Sequence, residues 1–325
     1  MKRPLKTSQI IIIGIVCGLL VLTTLFAGCT SSTPAQPVTP VVSTTTVPVA
    51  TVVPTPQATP QAVSPTVAPV IIATTSTPAP VYTYSEGNVV AFTAASLKGA
   101  SPKLAADFEK MYPGHKVVFN LDGTQALRTQ VQNGAYADVF ISASNAYTTE
   151  LTKGGFFVDG TVQPLTSNYV IVILPASNPA NIRSLADLAK PGLKIAIADK
   201  SVPVGAATNA AIGNLAKSTF NPEWNTSVMK NVVTYETSEP GVATKVALGE
   251  VDAGFVYEST YTAAPKGTYT AIIIPKADNY LQTYTIGVLK GSTSKGAAAD
   301  FEAFMVSGAG QQVLKDYGFR PISTA

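Results

Sequence analysis

An α/β fold of two sheets flanked by helices is what the amino-acid sequence predicts, and three observations carry that prediction. Strand-like apolar runs alternate with helix-like runs from Val89 onward, the pattern of parallel strands joined by helical crossovers. Two late strand-like runs, Ala271 to Ile274 and Thr283 to Leu289, follow each other without a helix and break the alternation. The part of the chain that can fold, Glu86 to Ala325, is about 240 residues long, which suits two sheets better than one.

The elements follow in order. Val89-Val90-Ala91-Phe92 is an apolar strand leading into a helical stretch from Leu97 to Met111. Lys116 to Phe119 precedes a helix over Gln125 to Gln132, and Asp138 to Ser142 precedes one over Asn145 to Lys153. Tyr169 to Leu174 is a continuous apolar strand, as expected where both faces are covered. Leu193 to Ala198 leads to Ala206 to Lys217, and Val232 to Tyr235 to Val242 to Leu248. Ala253 to Tyr257 runs into Glu258 to Ala263. The chain then ends in one long helix, Ala298 to Tyr317, with Phe301, Phe304, Met305, Val313 and Leu314 on its apolar side.

The first quarter has a different composition. Lys2, Arg3 and Lys6 precede an uncharged apolar run from Ile10 to about Phe26, which ends Leu25-Phe26-Ala27-Gly28-Cys29. A basic start, an apolar middle and small residues before a cut site predict an export signal over residues 1–28, with Cys29 as a lipidated N-terminus. An uncleaved membrane anchor is the alternative, since about 17 apolar residues reach the lower limit for a span. Residues 29–86 are mostly Thr, Pro, Val, Ala, Ser and Gln, and no charge occurs between Thr30 and Ser85. Such a segment has nothing to bury and reads as an extended stalk, either a plain spacer or one glycosylated on its Thr residues. Beyond Cys29 there is no cysteine, which excludes disulfide and thiol chemistry from the body. The net charge of +3 owes much to the leader, no basic stripe is present, and nucleic acid is not an expected partner.

Four junctions in the body place a hydroxyl or a glycine where a strand gives way to a helix. They are Thr93-Ala94-Ala95-Ser96, Leu121-Asp122-Gly123-Thr124, Val202-Pro203-Val204-Gly205 and Thr237-Ser238-Glu239-Pro240-Gly241. A helix start presents unpaired N–H groups and the positive end of the peptide dipole, so several aimed at one point make an oxyanion site. Lys200 stands just before the third junction, and otherwise none carries a cation, which predicts an anion held by neutral donors. Each residue also has an ordinary reading: Ser96 and Thr124 as helix caps, Gly123 and Gly205 as turn glycines, Tyr257 as the rim of a core.

Four segments carry a resemblance. Phe92-Thr93-Ala94-Ala95-Ser96-Leu97, Ala137-Asp138-Val139-Phe140-Ile141-Ser142-Ala143, Gly254-Phe255-Val256-Tyr257 and Tyr317-Gly318-Phe319 resemble, in order and spacing, the solute-binding proteins of molybdate/tungstate ABC importers. The resemblance spans about Val89 to Phe319. It implies the two-lobed type II periplasmic-binding-protein fold, with lobe 1 formed by 87–168 plus 284–325 and lobe 2 by 169–283. The chain would cross between lobes near Asn168 to Leu174 and near Thr283 to Leu289. It implies oxyanion contacts from Ser96, Gly123 and Thr124, from the Val204 amide, from the Tyr257 phenol and from Glu239 at the start of its helix. It further implies a lipoprotein tethered at the outer face of the membrane, acting as a monomer, with an ABC permease as partner and no cofactor beyond the cargo ion.

Glu239 departs from the bacterial pattern, in which this position is apolar and contributes only its N–H. A carboxylate facing a dianion is repelled. Three placements remove the conflict: the side chain in solvent at the helix start, a protonated carboxyl, or an oxygen bound directly to the Mo or W centre. Archaeal relatives use two carboxylates for the last. The second would fall in Val202 to Gly205, where this chain has no acid, and Asp199 is out of register. The sequence has no zinc-binding pattern, nucleophile elbow or P-loop, and its one histidine, His115, lies in a predicted turn, so an enzyme is not expected. Another oxyanion such as sulfate or phosphate, and a surface interaction module without a small ligand, stand as alternatives.

Overall fold

The computed structural model describes residues 87–321. The export signal, the stalk and Cys29 lie outside the described residues. The body is a two-lobed α/β fold. Strand β1 (Asn88–Ala94) runs through a 3-10 turn at Ala95–Leu97 to α1 (Ser101–Met111), then β2 (Lys116–Asp122), α2 (Thr124–Gln132), β3 (Val139–Ser142) and α3 (Asn145–Lys153). The long β4 (Gln163–Pro175) precedes a 3-10 turn at Leu185–Ala189, β5 (Ile195–Ala198), α4 (Pro203–Ser218) and α5 (Pro222–Lys230). Next come β6 (Val232–Glu236), α6 (Glu239–Ala247), β7 (Ala253–Tyr257), α7 (Glu258–Ala263) and β8 (Tyr269–Ile273). The chain returns through β9 (Leu281–Val288) to α8 (Lys295–Val306), α9 (Gly308–Asp316) and β10 (Arg320–Pro321).

The strands pair in the order β2-β1-β3-β9-β4-β7-β5-β6, with β8 and β10 also on β4. Strand β1 is parallel to β2 and β3 in the first sheet, and β5 is parallel to β6 and β7 in the second. Strand β4 belongs to both. Residues 163–169 pair antiparallel with β9, and from Val170 on the strand pairs with β7 and β8. The first crossing between sheets therefore falls at Tyr169 and Val170, within the segment expected from the sequence. The return falls earlier than expected. Strand β8 is in the second sheet and the whole of β9 in the first, so residues 274–280 make the passage and Thr283 lies beyond it.

Both faces of the central strands are covered. Along β1, Val89 and Ala91 enter the main core with Leu104, Phe108 and Phe301. Val90 and Phe92 point the other way, to a smaller cluster with Leu127, Val131, Phe140 and Leu151. This explains why β1 reads as an unbroken apolar run rather than an alternating one. The single Trp224 joins the core: it stacks on Phe220 at 4.4 Å and its Nε1 donates to the Leu185 carbonyl at 3.2 Å. His115 is half-buried rather than exposed, stacked near Phe108 and 3.5 Å from Asp300.

The long helix expected over Ala298 to Tyr317 is two helices. The chain turns at Ser307, whose Oγ accepts from the Gly310 amide at 3.4 Å and so caps α9. Phe304 and Met305 before the corner and Val313 and Leu314 after it are all buried in one core, so apolar periodicity runs through the corner unchanged. Helix α5 was not anticipated because it follows α4 with no strand between them. Asn221, which caps it, and Pro222 at its first position were the available signals.

Gly310 packs directly on the Phe304 carbonyl and leaves no space for a Cβ, whereas Gly308 has nothing within 4 Å of that position. Gly310→Ala is expected to lower stability by about 1–3 kcal/mol in urea unfolding, and Gly308→Ala to be nearly neutral by comparison.

Candidate functional site

The residues that the sequence singled out converge. Ser96, Gly123, Thr124, Val204, Glu239 and Tyr257 line one cavity of about 220 Å³ including its mouth, together with Ala94, Ala95, Ala143, Val202 and Pro203. Only about 20 Å³ of it is open to the centre of a water-sized sphere, and one water needs about 10–15 Å³ so measured, so the space suits one small ion or one or two waters. The cavity lies at the carboxyl ends of β1, β2, β3, β5, β6 and β7, which draws on parallel strands of both sheets.

The helix starts around this cavity share a property. The 3-10 turn at Ala95–Leu97 and helices α2, α4, α6 and α7 have no side-chain cap. Helix α3, which follows Ala143 on the cavity wall, is the exception and is capped by Ser144, and helices α5 and α9, which start elsewhere, are capped by Asn221 and Ser307. Missing caps also occur at α1 and α8, so the property acquires meaning only through convergence. First-turn N–H groups have no partner within their own helix. Val204, at the second position of α4 behind Pro203, leaves such an amide at the cavity.

The two hydroxyls are not caps. Thr124 Oγ1 accepts from the Ala143 amide at 3.1 Å, which leaves its proton available to the cavity. Ser96 Oγ lies 2.8 Å from Tyr284 Oη, a fully buried phenol on β9. Gly123 acts by lacking a side chain: its own amide donates to Asp122 Oδ1 at 2.7 Å, and a Cβ there would collide with the amide of Gln125. Gln125 Nε2 in turn donates to the Thr237 carbonyl at 2.8 Å, and Tyr147 Oη to the Ser201 carbonyl at 2.7 Å. These two bonds join α2 and α3 to the loops that start α6 and α4. Gly205 sits against the Asp199 carbonyl with no space for a Cβ, which holds the α4 start in place.

Glu239 does not reach solvent, and that placement is excluded. It is 3% exposed. Its Oε1 accepts from the Tyr257 amide and from Thr260 Oγ1, both at 2.7 Å. Its Oε2 is buried without a partner, and so is Tyr257 Oη. Burial pushes the Glu239 carboxyl up to about 7, against the two hydrogen bonds that favour its charge. Burial also pushes the Tyr257 phenol well up, reinforced by Tyr284 and Glu239, so the phenol stays a donor at neutral pH. No Lys, Arg or His lines the cavity. Asp199 stays outside it: its carboxylate is held low by hydrogen bonds from Ser201 and accepts the Ser201 amide at 2.8 Å.

Sequence reasoning missed Tyr284, Thr260 and Asn168 around the site. Thr260 lies on a stretch that read as helix, and Asn168 and Tyr284 in the two segments that read as crossings between lobes. Ala143 could have been found, since it closes the motif Ala137 to Ala143, and Pro203 marks a helix start.

A family model for bacterial extracellular solute-binding proteins matches residues 89–320. The molybdate-binding protein ModA of Mycobacterium tuberculosis is 35% identical over 233 residues, covering 71% of this chain and 84% of its own. The molybdate-binding protein ModA of Haemophilus influenzae is 28% identical over 235 residues, covering 72% of this chain and 91% of its own. Among solved structures, the periplasmic molybdate-binding protein of Azotobacter vinelandii shares the fold with a TM-score of 0.62 at 22% identity, over 71% of this chain and 98% of its own.

The raised Glu239 carboxyl makes the ligand-free protein sensitive to pH. The folded state holds a proton there that the unfolded chain releases above about pH 4.5. Stability is therefore full at acid pH and falls as pH rises through about 7, by on the order of 3 kcal/mol. Melting curves from pH 5 to pH 8 should show this decline, and Glu239→Gln should remove it.

Proposed function

We propose that this chain, which belongs to the bacterial extracellular solute-binding protein family, captures molybdate or tungstate in the cavity between its sheets and delivers the ion to an ABC permease. The observation that carries the reading is a buried cavity lined by helix starts, two hydroxyls and a phenol, with no cation on its wall. A dianion there is held by charge-assisted hydrogen bonds from neutral donors, each contributing about 1.5–3 kcal/mol. Ser96 and Thr124 supply hydroxyls, Val204 its amide, Tyr257 its phenol, and Gly123 the space for close approach. The relatives are molybdate-binding proteins, which favours this cargo.

Glu239 contributes as a carboxylic acid in this reading. Its Oε2, protonated below about pH 7, donates to an oxygen of the ion. Expansion of the metal centre by two carboxylates lacks its second ligand, since Asp199 is turned away and bonded to Ser201. Closure is a hinge motion of the two lobes, with the strand crossings at Tyr169–Val170 and 274–280 as the bending points. The lipid on Cys29 and the stalk of residues 29–86 tether the receptor, as a monomer, at the outer face of the membrane. No catalytic step is assigned to any residue.

One observation favours a second cargo. An ionised Glu239 Oε2 would accept the proton of hydrogenphosphate, a group that a wall made only of donors rejects. Anion titrations separate the two.

An ion at 1,000 times its dissociation constant stabilises the folded state by about 4.1 kcal/mol. Melting the full chain with molybdate, tungstate, sulfate and phosphate should give a shift of that order for the first two and little for the others. A larger shift with phosphate would overturn the molybdate reading, and no shift with any anion would favour an interaction module. Ser96→Ala and Thr124→Ala should each weaken molybdate binding about 10- to 100-fold. Glu239→Gln keeps a donor at the same place, so it should flatten the pH dependence of binding and leave the molybdate-to-tungstate ratio unchanged. An altered ratio would place an oxygen of Glu239 on the metal centre.

A further inference from the structure

We infer that Tyr284 is a positioning residue for the oxyanion site, and that its phenol, fixed by Asn168, makes the Ser96 hydroxyl an obligatory donor toward the cavity. The inference rests on the proposed binding of an oxyanion beside Ser96.

The donor sense follows from the bonds around the phenol. Tyr284 is fully buried, and its ring packs edge-on against Tyr257 at 6.1 Å and Phe319 at 5.6 Å, which leaves it no freedom to swing. Its Oη lies 2.8 Å from Ser96 Oγ, and the Asn168 side-chain amide beside it favours negative charge on the phenol oxygen. Asn168 is also fully buried. Its Oδ1 accepts from the Tyr169 amide at 2.9 Å, and its Nδ2 donates to Ser259 Oγ at 2.8 Å. With Oδ1 so placed, Nδ2 is the atom that faces the phenol, and an amide nitrogen only donates. The phenol oxygen therefore faces a donor on the Asn168 side and sends its own proton to its hydrogen-bonded neighbour, Ser96 Oγ. Ser96 has then received a hydrogen bond, and its remaining proton points to the cavity.

The opposite sense fails at both ends. If Ser96 donated to Tyr284, the phenol proton would have no acceptor among its partners. Ser96 would also present lone pairs to an anion. The chain Asn168 to Tyr284 to Ser96 thus converts a hydroxyl, which accepts and donates equally well, into a fixed donor. Its parts come from β4, the strand that belongs to both sheets, from its neighbour β9, and from the turn after β1 at the first junction of the site. Thr124 is oriented in the same way by the Ala143 amide, so both hydroxyls reach the ion already aligned.

The experiment is a double-mutant cycle on the full chain, read by calorimetric titration with sodium molybdate. Tyr284→Phe keeps the ring packing and removes the proton given to Ser96, and it should weaken binding about tenfold. Ser96→Ala should weaken binding at least as much. The double variant should bind no more weakly than Ser96→Ala alone, because Tyr284 acts through Ser96. A purely structural role for Tyr284 would give additive losses, and additive losses overturn the inference. So would Tyr284→Phe with wild-type affinity. Asn168→Ala carried through the same cycle with Ser96→Ala gives an independent check, where non-additive loss supports the relay and additive loss overturns it. Wild-type protein that binds no oxyanion overturns the parent reading as well, and is distinguishable because it appears before any variant is made.

Discussion

The site depends on one electrostatic constraint: helix starts without side-chain caps face one small pocket that has no cation on its wall. Their first-turn N–H groups are costly to bury without partners. Water or a bound anion completes them. The buried atoms without partners at this spot, Glu239 Oε2 and Tyr257 Oη, make the same statement with side chains. The alanines, valine and proline that fill the rest of the wall keep water out and strengthen whatever hydrogen bonds form there.

The topology exists to make that convergence. Each sheet has parallel strands whose carboxyl ends are followed by helices, and β4 and β9 place the two sets of ends face to face. Tight backbone contacts keep the ends in place. Gly205 against the Asp199 carbonyl is a position where a methyl group would push a helix start away from the cavity. Asn168 lies on β4, which belongs to both sheets, and Tyr284 on β9 beside it, so the groups that orient Ser96 sit on paired central strands.

Glu239 is the unusual member. Its burial is accommodated by two hydrogen bonds on one oxygen, and desolvation holds the other oxygen near the point of taking up a proton at neutral pH. A carboxyl in that state resolves the apparent conflict between an acid and an anionic ligand without needing a second acid. In the proposed reading it also ties occupancy of the cavity to pH, a property that an apolar residue at this position does not supply.

The amino-acid sequence by itself determined most of the order of strands and helices and the junctions that line the cavity. Local rules suffice for these: apolar runs, helix starts and composition are written in neighbouring residues. The lobe resemblance and the residues Ser96, Gly123, Thr124, Val204, Glu239 and Tyr257 were legible because each sits in a short motif at a strand end. What only the tertiary structure decided has distant causes. The corner at Ser307 is hidden because both helices face one core. The return crossing at 274–280 depends on which strands pair. The state of Glu239 depends on Thr260 and the Tyr257 amide, and the direction of the Ser96 hydroxyl on Tyr284, 188 positions away. Burial and donor sense are properties of neighbours in space, and a sequence names those neighbours only once the chain has brought them together.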